Sequence, residues 1–439
     1  MASIFDKSLK GVYTPHRKNT RDMQTVDMPV PDTVYIVMSQ HMGPPCDVKV
    51  AKGDQVLVGQ ILGHSEALFS APIHSSVSGV VKGIDEIIMP NGVRSKAVVI
   101  QCDKEQTPHP DIRPPQISTQ ADLVKAFYDS GMVGLGGAGF PSHIKFNPKN
   151  LGEVNTLVVN AAECEPYITS DYRTIVEDTQ DVLDGIRTVM RHLEMKNCTI
   201  GVEDNKPRGI EILREAARGD DRIQVVQLHS KYPQGAEKVL AYECTGTVIP
   251  EGKLPGDVGL IVTNITTLAC LTNYLRTGVP LISKRVTVDG NAVEHPQNVR
   301  VLIGTPIRDL ISFCGGYKSA PAKLLMGGPM MGTAVYDESY PVVKNNNAIL
   351  AFDAAQVEAY SETACIRCGR CVRACPMNLM PLRIEDCFQR EDNDGLRAFK
   401  VGLCMECGCC SYACPAKRQL VQTNRLAKAR LKRQVSGTK

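Results

Sequence analysis

The chain has 439 residues, 43% of them hydrophobic and 22% charged, with a formal net charge of +3. That length exceeds one ordinary core and implies about two to four domains, while the small net charge argues against a whole-chain nucleic-acid binder. No run approaches the roughly 18 apolar residues of a membrane span, and Met1 to Gly11 lacks the apolar core of a signal peptide, so a cytosolic setting is expected.

In that setting the 17 cysteines read as thiolates or metal ligands rather than disulfides. Trp is absent and aromatics are 5%, which weighs against stacking on bases. Along the chain, residues 30–102 alternate short apolar runs with Gly and Pro turns, the pattern of an all-β region. Within it, Val50-Ala51-Lys52-Gly53-Asp54-Gln55-Val56 and Ala71 to Val81 resemble the two halves of a lipoyl- or biotinyl-type barrel-sandwich domain. Carrier domains of that family place a lysine at the hairpin tip. Here the tip reads Ile73-His74-Ser75-Ser76, so the fold is expected to persist with a structural role and no swinging arm.

Thr107 to Gln116 holds four prolines and should be an extended linker. Helical and strand periods then alternate: Asp122–Ser130 helix, Thr156–Val159 strand, Tyr172–Leu193 helix, Ile223–Gln227 strand and Gly259–Val262 strand. That alternation predicts an α/β domain. Residues 283–340 return to short strands, with Asp289-Gly290 as a hairpin turn.

The strongest signal lies at 363–415. Cys365-x2-Cys368-x2-Cys371-x3-Cys375-Pro376 is followed by Cys404-x2-Cys407-x2-Cys410-x3-Cys414-Pro415, the bacterial two-cluster ferredoxin spacing written twice. Three closely spaced thiolates on one loop reach three irons of a cubane, and the fourth points away to the other cluster. One [4Fe-4S] cluster is therefore expected on Cys365, Cys368, Cys371 and Cys414, the other on Cys404, Cys407, Cys410 and Cys375. Structural zinc also uses paired C-x2-C knuckles, but it gains nothing from a third cysteine and a proline. Cys387 and Cys409 fall off the pattern and read as packing residues, as do the seven cysteines scattered elsewhere.

Gly134-Leu135-Gly136-Gly137-Ala138-Gly139 matches G-x-G-x-x-G, yet a helix precedes it and Phe140-Pro141 follows, which is not the strand–loop–helix context of a Rossmann site. Gly134 to Lys145 instead closely resembles the flavin loop of the NADH-binding subunit of respiratory complex I. Asn160-Ala161-Ala162-Glu163-Cys164-Glu165-Pro166, Tyr232-Pro233-Gln234-Gly235-Ala236-Glu237 and Asn264-Ile265-Thr266-Thr267-Leu268 resemble further segments of that family, in the same order. The resemblance implies non-covalent FMN on Gly134, Gly136, Lys145, Asn160, Glu163, Gly235, Asn264 and Thr267. It places NAD(H) against Phe140, Glu165, Tyr232 and Glu237. Ala162 and Ala236 stand where the family has acids.

The order of modules resembles the RnfC subunit of the Rnf complex, the ion-translocating ferredoxin:NAD oxidoreductase of bacterial membranes. Gly11-Val12-Tyr13-Thr14-Pro15-His16 departs from that family's usual Gly-Gly-x-x-Pro-Pro. A proline-reductase-associated electron carrier has nearly the same order, and a cobalamin reductase of propanediol microcompartments has the modules in another. The resemblance implies a multidomain α/β plus β chain. Its parts would be a barrel-sandwich domain at 1–106, an FMN/NADH-binding domain at 116–282 and a β-grasp domain of SLBB type at 283–345. A two-cluster ferredoxin-like domain at 360–420 and a basic tail at 421–439 would follow. It further implies a peripheral position at the cytoplasmic face of a membrane, other Rnf subunits and NAD(H) as partners, and ferredoxin as an indirect one. Pro415–Lys439 holds eight Lys or Arg and no acid, a solvated helix or a surface for anionic lipid or an acidic partner; nucleic acid is not expected.

Overall fold

The computed structural model describes residues 10–436 apart from 91, 358 and 359, so the expectations for residues 1–9 and 437–439 lie outside the described residues. The N-terminal β region forms two facing sheets. One orders the strands Thr33–Val37, Arg94–Cys102, Gly79–Ile88 and Gln55–Val56, and the other Asp47–Val48, Ile61–His64 and Ile73–His74. Alternating side chains enclose Val34, Ile36, Leu62, Ile73, Val98 and Ile100 between them, as period-2 patterning requires. The tip Ile73–Ser76 is buried throughout, and Ser76 Oγ donates to the Ile303 carbonyl at 2.6 Å. The tip is docked, not swinging.

The α/β domain holds a four-stranded parallel sheet in the order Ile223–Leu228, Asn197–Glu203, Thr156–Ala161, Leu260–Asn264. Thr179–His192 buries Val182, Leu183, Ile186 and Val189 in the same core as Leu268 and Leu271 of the helix Ile265–Thr277. A Cβ at Gly185 would stand 2.5 Å from the Leu268 carbonyl, so a glycine is needed where these helices touch. The expected helix Tyr172–Leu193 is two helices, Ser170–Glu177 and Thr179–His192. The break has a counterpart elsewhere in the chain: Asp178 and Glu177 both pair with Arg285, at 2.9 and 2.8 Å.

The β-grasp sheet has six strands, ordered Thr25–Asp27, Gln297–Leu302, Ser283–Asp289, Ala348–Asp353, Pro321–Met326, Thr333–Val335. It runs past the expected limit of 345 and borrows an edge strand from the N-terminal region. Asp289-Gly290 is not a two-residue hairpin turn, since residues 290–296 join the paired strands. Gly290 at φ +112° would press a Cβ to 2.1 Å from the Ala351 carbonyl. Close packing on the neighbouring strand explains the glycine.

The cysteine-rich region folds as short helices against the long helix Leu420–Ser436, which turns Leu420, Val421, Asn424 and Ala427 inward. Its cations have local roles: Lys428 and Arg425 reach Glu406, and Arg430 stacks 4.1 Å over Phe388. No described helix is long and apolar enough to cross a membrane.

Candidate functional site

In chain order the parallel strands stand 3-2-1-4, so the sheet reverses direction of growth between Thr156–Ala161 and Leu260–Asn264. Open α/β sheets bind ligands outside the carboxyl ends of the strands at such a switch point. Asn160 and Asn264 lie at the ends of those two strands and are register partners. Asn160 Nδ2 donates to the Gly235 carbonyl at 2.8 Å while its Oδ1 accepts the Ala162 N–H. Asn264 caps its helix through Oδ1, accepting from Thr266 N at 2.9 Å, and its Nδ2 donates to Asp171 at 2.7 Å.

The glycine loop lies on Asn264 of this pair. It follows the helix Gln120–Asp129 and leads into the short helix Ser142–Lys145, confirming that the Rossmann context is missing. Gly134 N donates to the Phe140 carbonyl at 2.8 Å, closing the loop, and Leu135 N approaches Thr267 Oγ1 at 3.5 Å. A Cβ at Gly136 would fall 2.6 Å from Asn264 Nδ2, and Gly136, Gly137 and Ala138 expose their backbone. Lys145 Nζ donates to Glu237 and to the Val262 carbonyl, both at 2.8 Å. An exposed glycine backbone against Asn264, with Asn160 on the adjoining strand and a cation at the edge, fits a flat ring carrying a phosphate. Gly134, Gly136, Lys145, Asn160, Gly235, Asn264 and Thr267 thus gather at one switch point.

Glu163 and Glu165 are spent differently. Glu163 accepts the N–H groups of Asp171 and Tyr172, at 2.6 and 3.3 Å, and lies 4.0 Å from Lys18 Nζ. Burial pushes Glu163 up and Lys18 down, and each charge partly offsets the other's shift. Glu165 accepts from Met330 N at 3.0 Å and Met331 N at 2.8 Å, which ties the flavin-domain segment to the turn Gly327–Gly332 of the β-grasp domain. Burial pushes Glu165 up to about 7, against the pull of those two donors.

Tyr232 is 2% exposed. Its hydroxyl donates to the Cys407 carbonyl at 2.8 Å, and burial holds the phenol well above its ordinary value. Val12, Tyr232, Cys407 and Cys409 share one apolar cluster, against which Cys164 and Met330 pack. Four domains meet there, since Val12 belongs to the N-terminal domain and Met330 to the β-grasp domain.

The two cysteine sets ring two separate cavities. Cys365, Cys368, Cys371 and Cys414 line one; Cys375, Cys404, Cys407 and Cys410 line the other. Among the described residues no three metal-binding side chains converge on one ion-sized point. Four sulfurs around a cavity, each free to meet a different iron, fit a cubane. Cys365 and Cys368 are exposed, whereas Cys407 and Cys410 are buried, the former within the apolar cluster on the flavin side. Cys387 and Cys409 are buried packing residues.

Sequence reading missed the residues that hold these segments in place. Lys18 Nζ donates to the carbonyls of Glu163, Glu165 and Ile168 at 2.6–2.9 Å, and Lys206 Nζ to that of Ala162 at 2.6 Å. Lys284 donates to Leu135 O and Asn345 to Gly137 O, both at 3.0 Å. No local motif marks them, because each acts across a large sequence separation.

Comparison with known proteins agrees with this geometry. Four family models match: the RnfC barrel sandwich hybrid domain over 7–105, the Nuo51 FMN-binding domain over 127–273, the SLBB domain over 285–334 and the 4Fe-4S dicluster domain over 364–417. The chain is 40% identical to the C subunit of the Na(+)-translocating ferredoxin:NAD(+) oxidoreductase complex of Acetobacterium woodii, covering 95% of each. It is 39% identical to the proton-translocating counterpart of Clostridium ljungdahlii, over 88% of this chain and 85% of that one. A crystal structure of an NAD+-reducing [NiFe]-hydrogenase in the air-oxidized state shares the fold at a TM-score of 0.50 and 14% identity, over 70% of this chain and 63% of that one. The chain belongs to the RnfC family of the ion-translocating ferredoxin:NAD oxidoreductases, whose modules are a flavin domain and a pair of [4Fe-4S] clusters.

Proposed function

We propose that this subunit exchanges hydride with NAD(H) at the switch point and passes electrons singly to or from the rest of the complex. The chain would sit peripherally at the cytoplasmic face, with ferredoxin reached through other subunits and the flow coupled to ion transport. FMN accepts hydride and releases single electrons, and cubanes carry electrons one at a time. Gly134, Gly136, Asn160, Gly235, Asn264 and Thr267 would hold the flavin, with Lys145 near its phosphate. Phe140, Glu165, Tyr232 and Glu237 would border the dinucleotide.

The observation that carries the reading is the Tyr232 hydrogen bond to the Cys407 carbonyl. It joins a loop of the flavin domain directly to a loop that holds a cluster ligand, so the two redox sites share a boundary with no intervening layer. The test is purified chain with its flavin and clusters, mixed anaerobically with NADH. Flavin and cluster absorbance should bleach together, and acid precipitation should release FMN into the supernatant. Flavin that bleaches while the clusters stay oxidised, or flavin that remains in the pellet, refutes the reading.

A further inference from the structure

The barrel-sandwich domain does more than dock. Its Met42 N donates to the Gly139 carbonyl at 2.9 Å, so it touches the last residue of the glycine loop. Gly43, at φ +126°, would drive a Cβ to 1.9 Å from the Phe69 carbonyl. The turn after Met42 is therefore pressed onto the backbone of Phe69. The ring of Phe69 meets that of Phe140 edge to face, with centroids 5.7 Å apart at 80°. From the flavin side, His143 bonds to the Leu68 backbone. Gly139, Met42, Gly43, Phe69 and Phe140 form a closed circuit of contacts, and residues 68–69 are gripped from both domains.

Despite that grip, the side chains stay open to solvent: Leu68 is 72% exposed, Phe69 42% and Met42 45%. Met42 and Phe69 meet the chain at Gly139 and Phe140, directly after the exposed residues Gly136, Gly137 and Ala138 of the loop. A rigidly held aromatic and two apolar neighbours, left wet beside a glycine-rich ligand loop, form the apolar wall of a binding site. An edge-to-face aromatic pair offers a flat heterocycle a face and an edge together.

We infer that Phe69, supplied by the barrel-sandwich domain, is a binding residue for a ring of the nicotinamide dinucleotide, completing with Phe140 a site that spans two domains. This rests on the dinucleotide reading of the flavin domain and deepens it. It also gives the domain whose carrier lysine is missing a part in substrate recognition.

The experiment measures equilibrium binding of ADP-ribose and of NADH to the full chain by calorimetry, alongside FMN content and cluster spectra. Loss of one stacking ring corresponds to about a tenfold rise in Kd. Phe69→Ala should show that rise with flavin and clusters unchanged, and the KM for NADH should rise with it. Phe69→Leu keeps the apolar bulk and should also bind weakly, whereas Phe69→Tyr should restore binding. Binding by Phe69→Ala within twofold of wild type overturns the assignment, as does full binding by Phe69→Leu. If wild type binds neither ligand, the dinucleotide reading itself falls and takes this one with it.

Discussion

The clearest mechanical coupling in the molecule is Glu165, which holds a turn of another domain by two backbone N–H groups. Replacing it with alanine leaves both donors without a protein acceptor. Hydrogen bonds to a charged acceptor contribute about 1.5–3 kcal/mol each. Because burial raises Glu165 to about 7, part of the population is protonated near neutrality, and the low end of that range applies. The two bonds together are then worth about 3 kcal/mol, or roughly a hundredfold in the opening equilibrium of the turn. Hydrogen exchange reads that equilibrium directly. Amides of Met330 and Met331 in Glu165→Ala should exchange about a hundredfold faster than in wild type, while those of the central strand Ser283–Asp289 stay unchanged.

Two companion variants sharpen the test. Glu165→Gln keeps one acceptor oxygen and should produce about half the free-energy loss, near tenfold in exchange. Gly328→Ala should reproduce the alanine result from the opposite side, since its Cβ would lie 2.2 Å from the Glu165 carboxylate. Exchange at Met330 and Met331 within threefold of wild type in Glu165→Ala would refute the coupling. So would uniform acceleration across the whole β-grasp sheet, which would mean global destabilisation.

Three further outcomes are expected. Reconstituted chain should carry about eight irons, and Cys375→Ala should lower this to about four by damaging the cluster on Cys404, Cys407 and Cys410; loss of the Cys365 cluster instead would overturn the crossed ligation. NADH should be strongly preferred to NADPH in anaerobic bleaching, because a carboxylate at the proposed dinucleotide site would repel a 2′-phosphate. Glu237→Gln should weaken dinucleotide use with flavin content intact, and equal rates with NADPH would refute the argument. Lys344, buried with Nζ on the Pro72 and Gly131 carbonyls, is pushed by burial down to about 7 from 10.5. Between those values the unfolded chain binds more protons, so stability rises with pH there. Thermal scans should therefore show wild type gaining on Lys344→Met from pH 7 to 9, and a difference independent of pH would remove Lys344 as the cause.

What could be read from the sequence was what is encoded locally. The cysteine runs stand out because cubane ligation fixes spacing over a few residues, and the structure brings the two expected sets of four to two cavities. The flavin segments announce themselves because each is a short loop with its chemistry on board. Features set by distant contacts gave no such sign. Asp178, at the break, pairs with Arg285, more than a hundred residues away. The Asp289-Gly290 pair satisfied a turn rule, while the actual constraint on Gly290 was the approach of Ala351. Thr25–Asp27 reads as part of the first domain and joins the sheet of the third, a choice that only tertiary packing makes.

The two cysteine sets are not equivalent, and their difference orders the route. Cys407 and Cys409 lie in the apolar cluster with Tyr232 and beside Cys164 and Met330, which excludes water between the flavin domain and that cavity. Low local dielectric there penalises charge separation into solvent and favours transfer between fixed neighbours. Cys365 and Cys368 stand at the surface, with Ile366 67% exposed between them. Arg367, Arg370 and Lys417 are exposed nearby. The set containing Cys407 therefore adjoins the flavin domain, and under the proposed function it would face the hydride chemistry while the set containing Cys365 and Cys368 faces the rest of the complex. Under the proposed function, single electrons would cross the chain from one to the other, with NAD(H) at one end and another subunit of the complex at the other.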